Sequence, residues 1–332
     1  MKTEKILETK LLEIENLSVN FQTEQGKIEA AKAVSLGIRK GEAVAIVGES
    51  GAGKSQLFHA VMGLQAKNAS STGSIKFLGK ELLNKSDALL NNYRGTDISI
   101  IFQDPMTALN PYLKVGRQLT EVLQVHNKLS YKKAKIRAIK CLSEVKIPQA
   151  DKRFEQYPHQ LSGGMRQRVM IAMSLLGQPK LIIADEPTTA LDVTVQTEII
   201  SLLRKEHEDN QTSIVLITHD IPLVAGLCDR IIIMYAGRIV EMGTVTEIHK
   251  LAKHPYTRAL LEATPTEVAH EQKDQKLITI PGQPPLPGEK IKGCAFSPRC
   301  HLADKICKSE NPPMLKITPS QSVACFHSEQ LK

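Results

Sequence analysis

The chain has 332 residues, 42% of them hydrophobic and 23% charged, with a net charge of +8. Those are globular proportions with room for a sizeable core, and no apolar run approaches the roughly 18 residues of a membrane span. The opening MKTEKILETKLLEIE is charged throughout and lacks the apolar centre of a secretory signal. A cytoplasmic protein is therefore expected, in a compartment where disulfides are rare. The positive excess suits an anionic contact such as nucleic acid, phosphate or lipid headgroups, and equally a basic soluble surface.

Residues 11–20, LLEIENLSVN, alternate apolar and polar as a half-buried strand does. VSLGI (34–38) reads as a second short strand. AVAIV (43–47) is a continuous apolar run suited to a strand buried on both faces. It leads through GESGAGKS into QLFHAVMGL, where Leu57, Ala60, Val61 and Leu64 share one helical stripe. Residues from about 105 to 176 carry helical periodicity and few strand signals. Within them, residues 128–153 carry nine Lys or Arg against two acids. Such a stripe is a solvated face or one turned toward anionic lipid headgroups. LIIAD (181–185) and SIVLIT (213–218) are further buried runs, and IIIMYAGRIVEMG (231–243) reads as a hairpin turning near Ala236–Gly237. Strands alternating with helical segments argue for an α/β domain with a largely parallel sheet. After Thr264 the composition shifts; PGQPPLPGEK (281–290) is rich in turn formers, and the tail has too little apolar content for an independent core.

Gly48-Glu49-Ser50-Gly51-Ala52-Gly53-Lys54-Ser55 fits G-x-x-x-x-G-K-[ST] without deviation. Glycines let the backbone wrap phosphates, and the following helix presents its positive end to them. Lys54 is expected to reach the β- and γ-phosphates, and the Ser55 hydroxyl to hold Mg2+. In LIIADEP, Asp185 ends a buried strand where it suits Mg2+. Its neighbour Glu186 suits a general base acting on water, the bland alternative being a capping or surface acid.

The companions of these motifs carry a resemblance. LSGGM (161–165), Gln103 in IIFQDP, ALD (190–192) and His219 in LITHD follow in an order and spacing similar to the nucleotide-binding subunit of an ATP-binding cassette (ABC) transporter. The resemblance implies a P-loop NTPase fold: a mostly parallel sheet core, an antiparallel β subdomain and a helical insertion. It implies an ABC domain over residues 1–265, with its helical subdomain at about 105–176. Phe21 would stack on adenine. Gln103 would contact Mg2+ or water, Glu186 would be the base, and His219 would contact the γ-phosphate. Ser162, Gly163 and Gly164 would cap ATP held by a partner's P-loop, and Asp192 would lie at the dimer seam. Met165 departs from the Gln of many cassettes without touching the phosphate-facing residues.

EQYPHQLSGGMRQRVMIAMSLL, IFQDPMTALNPYLKVG, ADEPTTALDVTVQ and HPYTRALL are similar to the oligopeptide/dipeptide branch of ABC importers, and most to its D-type ATPases. That branch implies a heterodimer with a second ABC ATPase, two transmembrane permeases and an extracytoplasmic peptide-binding protein. It also implies a peripheral position on the cytoplasmic face of the inner or plasma membrane. Related branches handle nickel or antimicrobial peptides. A soluble cassette acting on nucleic acid or ribosomes usually has two cassettes or a long coiled coil, and neither is here. A small-molecule P-loop kinase leaves LSGG and His219 unexplained.

Four of the six cysteines, Cys294, Cys300, Cys307 and Cys325, fall in the tail as C-x5-C-x6-C-x17-C. A zinc ribbon or finger normally offers a short C-x2-4-C pair, which is missing, and wider spacers suit the four-thiolate ligation of a [4Fe–4S] cluster. Zinc and four unligated thiols remain alternatives on spacing alone. The tail resembles the C-terminal extension (here 266–332) of oligopeptide-type ATPases, which implies a [4Fe–4S] cluster in some members. Cys141 and Cys228 sit among apolar neighbours as core residues, and His301 and His327 are expected to be bystanders.

Overall fold

A computed structural model of the protein describes residues 10–24, 26–188, 192–264, 279–286 and 288–331. The chain divides into two compact units, one formed by Leu11–Gly37, Val44–Asn84 and Thr218–Lys332, the other chiefly by Ile38–Ala43 and Lys85–Ile217. The expected boundary at 265/266 lies outside the described residues.

In the first unit, β1 (Lys10–Thr23) and β2 (Gly26–Arg39) are far longer than the sequence signals for them. With β4 (Ala69–Phe77) and β5 (Lys80–Glu81) they form a four-stranded sheet in the order β2-β1-β4-β5. β1 runs antiparallel to β4, with Leu12 opposite Phe77 and Ile14 opposite Ile75; all four side chains are fully buried. A second set of strands contains β3 (Ala43–Val47), which pairs in parallel with β9 (Arg230–Tyr235). β9 turns back antiparallel into β10 (Arg238–Thr244). Ala236 and Gly237 have φ of 47° and 83°, the paired left-handed conformation that matches the twist of a tight hairpin. β12 (Ser322–Val323) pairs with β10, and β11 (Leu315–Lys316) pairs with β12. Helices α1 (Lys54–Met62), α9 (Ile221–Ala225), α10 (Val245–Leu251), α11 (Pro255–Glu262) and α12 (Lys305–Ser309) complete this unit.

In the second unit, β6 (Ile98–Ile101), β7 (Leu181–Asp185) and β8 (Ser213–Thr218) are parallel neighbours. β7 and β8 are buried along their whole length, as uninterrupted apolar runs require. α2 (Asp87–Leu90) precedes β6; the helical stretch contains α3 (Pro105–Ala108), α4 (Val115–His126), α5 (Tyr131–Glu144), α6 (Ala150–Phe154) and α7 (Gly163–Leu176), and α8 (Val193–Asn210) follows β7. The basic stripe falls on α5, which buries Ala134, Ala138, Cys141 and Leu142 and leaves Lys132, Lys133 and Lys140 in solvent. No helix among the described residues is long and apolar enough to cross a membrane.

Candidate nucleotide site and cysteine cavity

The 48–55 loop connects β3 to α1, as its motif requires. Two glycines are needed for reasons of space. A Cβ on Gly48 would lie 2.2 Å from the Met234 carbonyl oxygen of β9. One on Gly53 would lie 1.9 Å from the Ala30 carbonyl oxygen, and Gly53 also holds φ of +91° as the residue before α1. Lys54 is 5% exposed, its Nζ donating to the carbonyls of Gly48 at 2.8 Å and Glu49 at 3.0 Å. The ammonium thus bridges the loop's own oxygens at the mouth of the cradle. The same unit carries Phe21, half-buried near the end of β1 opposite Ala69, and His219, exposed directly after β8.

The second unit brings two expected residues together. Gln103 follows β6, Glu186 follows β7, and Gln103 Nε2 donates to Glu186 Oε2 at 2.9 Å. Glu186 holds a left-handed φ of 46°, and its N–H donates to the Ile217 carbonyl at 2.9 Å. A non-glycine residue in that region stores strain of about 1–3 kcal/mol, a feature that clusters at functional sites. Asp185 is buried at the end of β7. Gln167 of α7, which no sequence signal singles out, donates from Nε2 to the Pro187 carbonyl at 2.6 Å and so braces the turn after Glu186.

Ser162 caps α7, its Oγ accepting from the Met165 N–H at 3.3 Å. Ser162 and Gly163 are exposed, so the positive end of a 14-residue helix opens to solvent. Asp192 is exposed as well and caps α8, accepting from the Val195 N–H at 3.0 Å.

Cys294, Cys300, Cys307 and Cys325 line one cavity, whose wall also includes His254, Phe296 and His327. None of the four is paired in a disulfide. The Cys294 N–H donates to the Cys307 carbonyl at 2.8 Å, which staples two of the cysteine segments. Burial pushes all four thiols up, Cys325 to about 11. His327, expected as a bystander, lies in the cavity wall, with Nε2 3.3 Å from Asp304 Oδ2. Its ligand atom and those of Asp304 and Cys307 all lie within 4.8 Å of one another. His301 is exposed and outside that wall. Cys141 and Cys228 are buried as core residues, and desolvation pushes the Cys141 thiol up to about 12.

The sequence matches the ABC transporter family over residues 31–189 and the C-terminal region of oligopeptide/dipeptide transporters over residues 240–307. It is 49% identical over 316 residues to the oligopeptide transport ATP-binding protein OppD of Escherichia coli K12, covering 95% of this chain and 93% of the relative. Against OppD of Haemophilus influenzae the identity is 50% over 320 residues, covering 96% and 98%. Against the dipeptide transport ATP-binding protein DppD of Bacillus subtilis it is 44% over 323 residues, covering 97% and 96%. Among solved structures, a dimeric ATP-binding cassette in a post-hydrolysis state bound to ADP and Pi is similar at a TM-score of 0.65. It shares 29% identity and covers 70% of this chain and 98% of its own.

Proposed function

Because the chain belongs to the ATP-binding subunits of oligopeptide and dipeptide ABC transporters, we propose that it hydrolyses ATP to drive uptake of short peptides. It works as one of two ATPase subunits beneath two membrane permeases, at the cytoplasmic face of the membrane. A separate peptide-binding protein delivers the cargo. The observation that carries this reading is the identity with peptide-transport ATPases over nearly the whole chain, the C-terminal region included. The nickel, antimicrobial-peptide and nucleic-acid alternatives have no such support.

The roles divide as follows. The 48–55 backbone cradles the ATP phosphates; Lys54 gives up the carbonyls of Gly48 and Glu49 for the β- and γ-phosphates. Ser55, Gln103 and Asp185 suit Mg2+, an ion that prefers oxygen ligands and stays bound to substrate phosphate. Glu186 takes the proton of the attacking water. Gln103 holds that carboxylate in place through its amide. His219 contacts the γ-phosphate, and Phe21 stacks on adenine. Ser162, Gly163 and Gly164 meet ATP on the partner ATPase, with Asp192 at the seam. Phosphoryl transfer is mostly positioning and charge stabilisation, so dimer closure, which completes the site, is the driven step.

We read residues 1–265 as the cassette domain and 266–332 as an extension organised by the four cysteines. The cavity they line suits a [4Fe–4S] cluster, with zinc the alternative. Tetrahedral zinc with bonds of about 2.3 Å needs thiolate sulfurs only about 3.8 Å apart. Among the described residues the ligand atoms of Asp304, Cys307 and His327 fall within 4.8 Å of one another, a mixed set that keeps zinc as the alternative. When bound, the cluster ties four segments of thin apolar content together, so that ligation supplies folding free energy. Glu186→Gln tests the ATPase reading. Hydrolysis by the assembled transporter is expected to fall by about 10² or more with ATP binding retained; an undiminished rate removes Glu186 as the base.

A further inference from the structure

Glu49 is the first variable residue of the P-loop, and its carboxylate does not face the solvent alone. Arg299, which lies between Cys294 and Cys300, meets it with both prongs: Nη1 donates to Oε2 at 2.7 Å and Nη2 to Oε1 at 3.1 Å. The Arg299 side chain is 4% exposed and that of Glu49 is 25% exposed, so the pair is largely out of water. The guanidinium is fixed from every side. Nε donates to the Pro281 carbonyl at 2.9 Å, Nη1 also donates to the Tyr235 hydroxyl at 3.2 Å, and the plane sits 5.8 Å from the Phe296 ring. A planar, five-donor group held in this way locks its partner's geometry as well as its charge.

The rest of Glu49 is also held. Its N–H donates to the hydroxyl of Tyr256 on α11 at 2.9 Å, and its carbonyl accepts from Lys54 Nζ at 3.0 Å. Tyr235, Tyr256 and Phe296 are all buried, with ring centroids 4.6–5.4 Å apart. One aromatic cluster therefore supports both the first turn of the P-loop and the cysteine-bearing segment. A carboxylate beside a triphosphate repels it unless a cation compensates.

We propose that Arg299 is a positioning residue of the nucleotide site, which fixes the first turn of the P-loop through Glu49 and cancels a negative charge beside the phosphate cradle. The cysteine-bearing segment 294–300 is thereby part of ATP binding. The inference rests on the reading of residues 48–55 as the ATP site. Arg299→Gln leaves the Glu49 carboxylate uncompensated, while Glu49→Gln leaves no charge to compensate. Titration of the full-length chain with a fluorescent ATP analogue, and the ATP dependence of hydrolysis by the assembled transporter, read the difference. Arg299→Gln is expected to weaken ATP binding about tenfold, on KM for ATP more than on kcat. The defect shrinks at high salt. Arg299→Lys recovers part of the affinity. The double variant Glu49→Gln/Arg299→Gln binds ATP more tightly than Arg299→Gln alone. That rescue decides between charge compensation and damage to the tail, because both variants carry the same change in the tail; metal content per chain is measured on each. Wild-type affinity in Arg299→Gln, or a double variant no better than Arg299→Gln, overturns the proposal. If Arg299→Gln does not fold, the equally neutral Arg299→Met and its combination with Glu49→Gln give the same comparison. Lys54→Ala is run alongside: ATP binding that survives it sinks the nucleotide-site reading instead.

Discussion

Gly163→Ala should separate stability from activity in opposite directions. Gly163 is the first residue of α7, it is exposed, and a Cβ built on it meets nothing within 4 Å. Its backbone is outside the left-handed region, so alanine fits without strain. Replacing a compatible glycine stabilises by about 0.4–1 kcal/mol through the unfolded chain. For a chain of this size that raises Tm by roughly 0.5–1.5 °C. In the assembled transporter the same methyl projects into the space where the amides of residues 163–164 are proposed to meet the partner's ATP. Losing one donor position for transition-state charge costs about 10²–10³ in rate. Thermal melts of the isolated chain and ATPase assays of the full complex check both halves. Unchanged hydrolysis would refute the placement of the signature at a closed interface. A lowered Tm would refute the open helix end.

Three further outcomes are expected. Gly48→Ala puts a methyl 2.2 Å from the Met234 carbonyl of an interior strand; urea melts should show a loss of about 1–3 kcal/mol, with nucleotide binding abolished. Anaerobically purified protein should carry iron and sulfide in equal amounts and a visible absorbance lost in Cys294→Ser, whereas stoichiometric zinc without iron contradicts the cluster. Although burial opposes it, hydrogen bonds from Ser320, Thr244 and Thr318 hold the Glu247 carboxyl down at about 2. A depressed carboxylate stabilises fully above its unfolded pKa of about 4.5 and loses that contribution as pH falls through about 2. Glu247→Gln should therefore flatten the fall of stability across that window, and an unchanged slope would assign the acid sensitivity elsewhere.

The buried strands and the P-loop are legible because their signals are local: AVAIV, LIIAD and SIVLIT are uninterrupted apolar runs, and the phosphate loop follows one of them. β4 carries no such signal. Its sequence, ASSTGSIKF, is mostly polar with a glycine inside, and it becomes a strand only against β1. β1 and β2 outrun their sequence signals for the same reason, since cross-strand pairing extends them beyond their apolar cores. Site residues are legible by type and the order of motifs, but their contacts are not. Gln103 and Glu186 are 83 residues apart, and Glu49 and Arg299 are 250 apart. The one local hint of the second pair is an arginine next to Cys300, with an acid in the P-loop left without a role. The left-handed φ of Glu186 has no sequence signal either, since glutamate does not favour that region.

The most direct measurement is ATP-driven peptide uptake into vesicles containing this chain, its partner ATPase and both permeases, with the peptide-binding protein supplied outside. Peptide should accumulate only with ATP inside, and Glu186→Gln in this chain should abolish accumulation while the transporter still assembles. Uptake that persists in that variant, or ATP hydrolysis stimulated by nucleic acid and indifferent to permeases and peptide, would contradict the account.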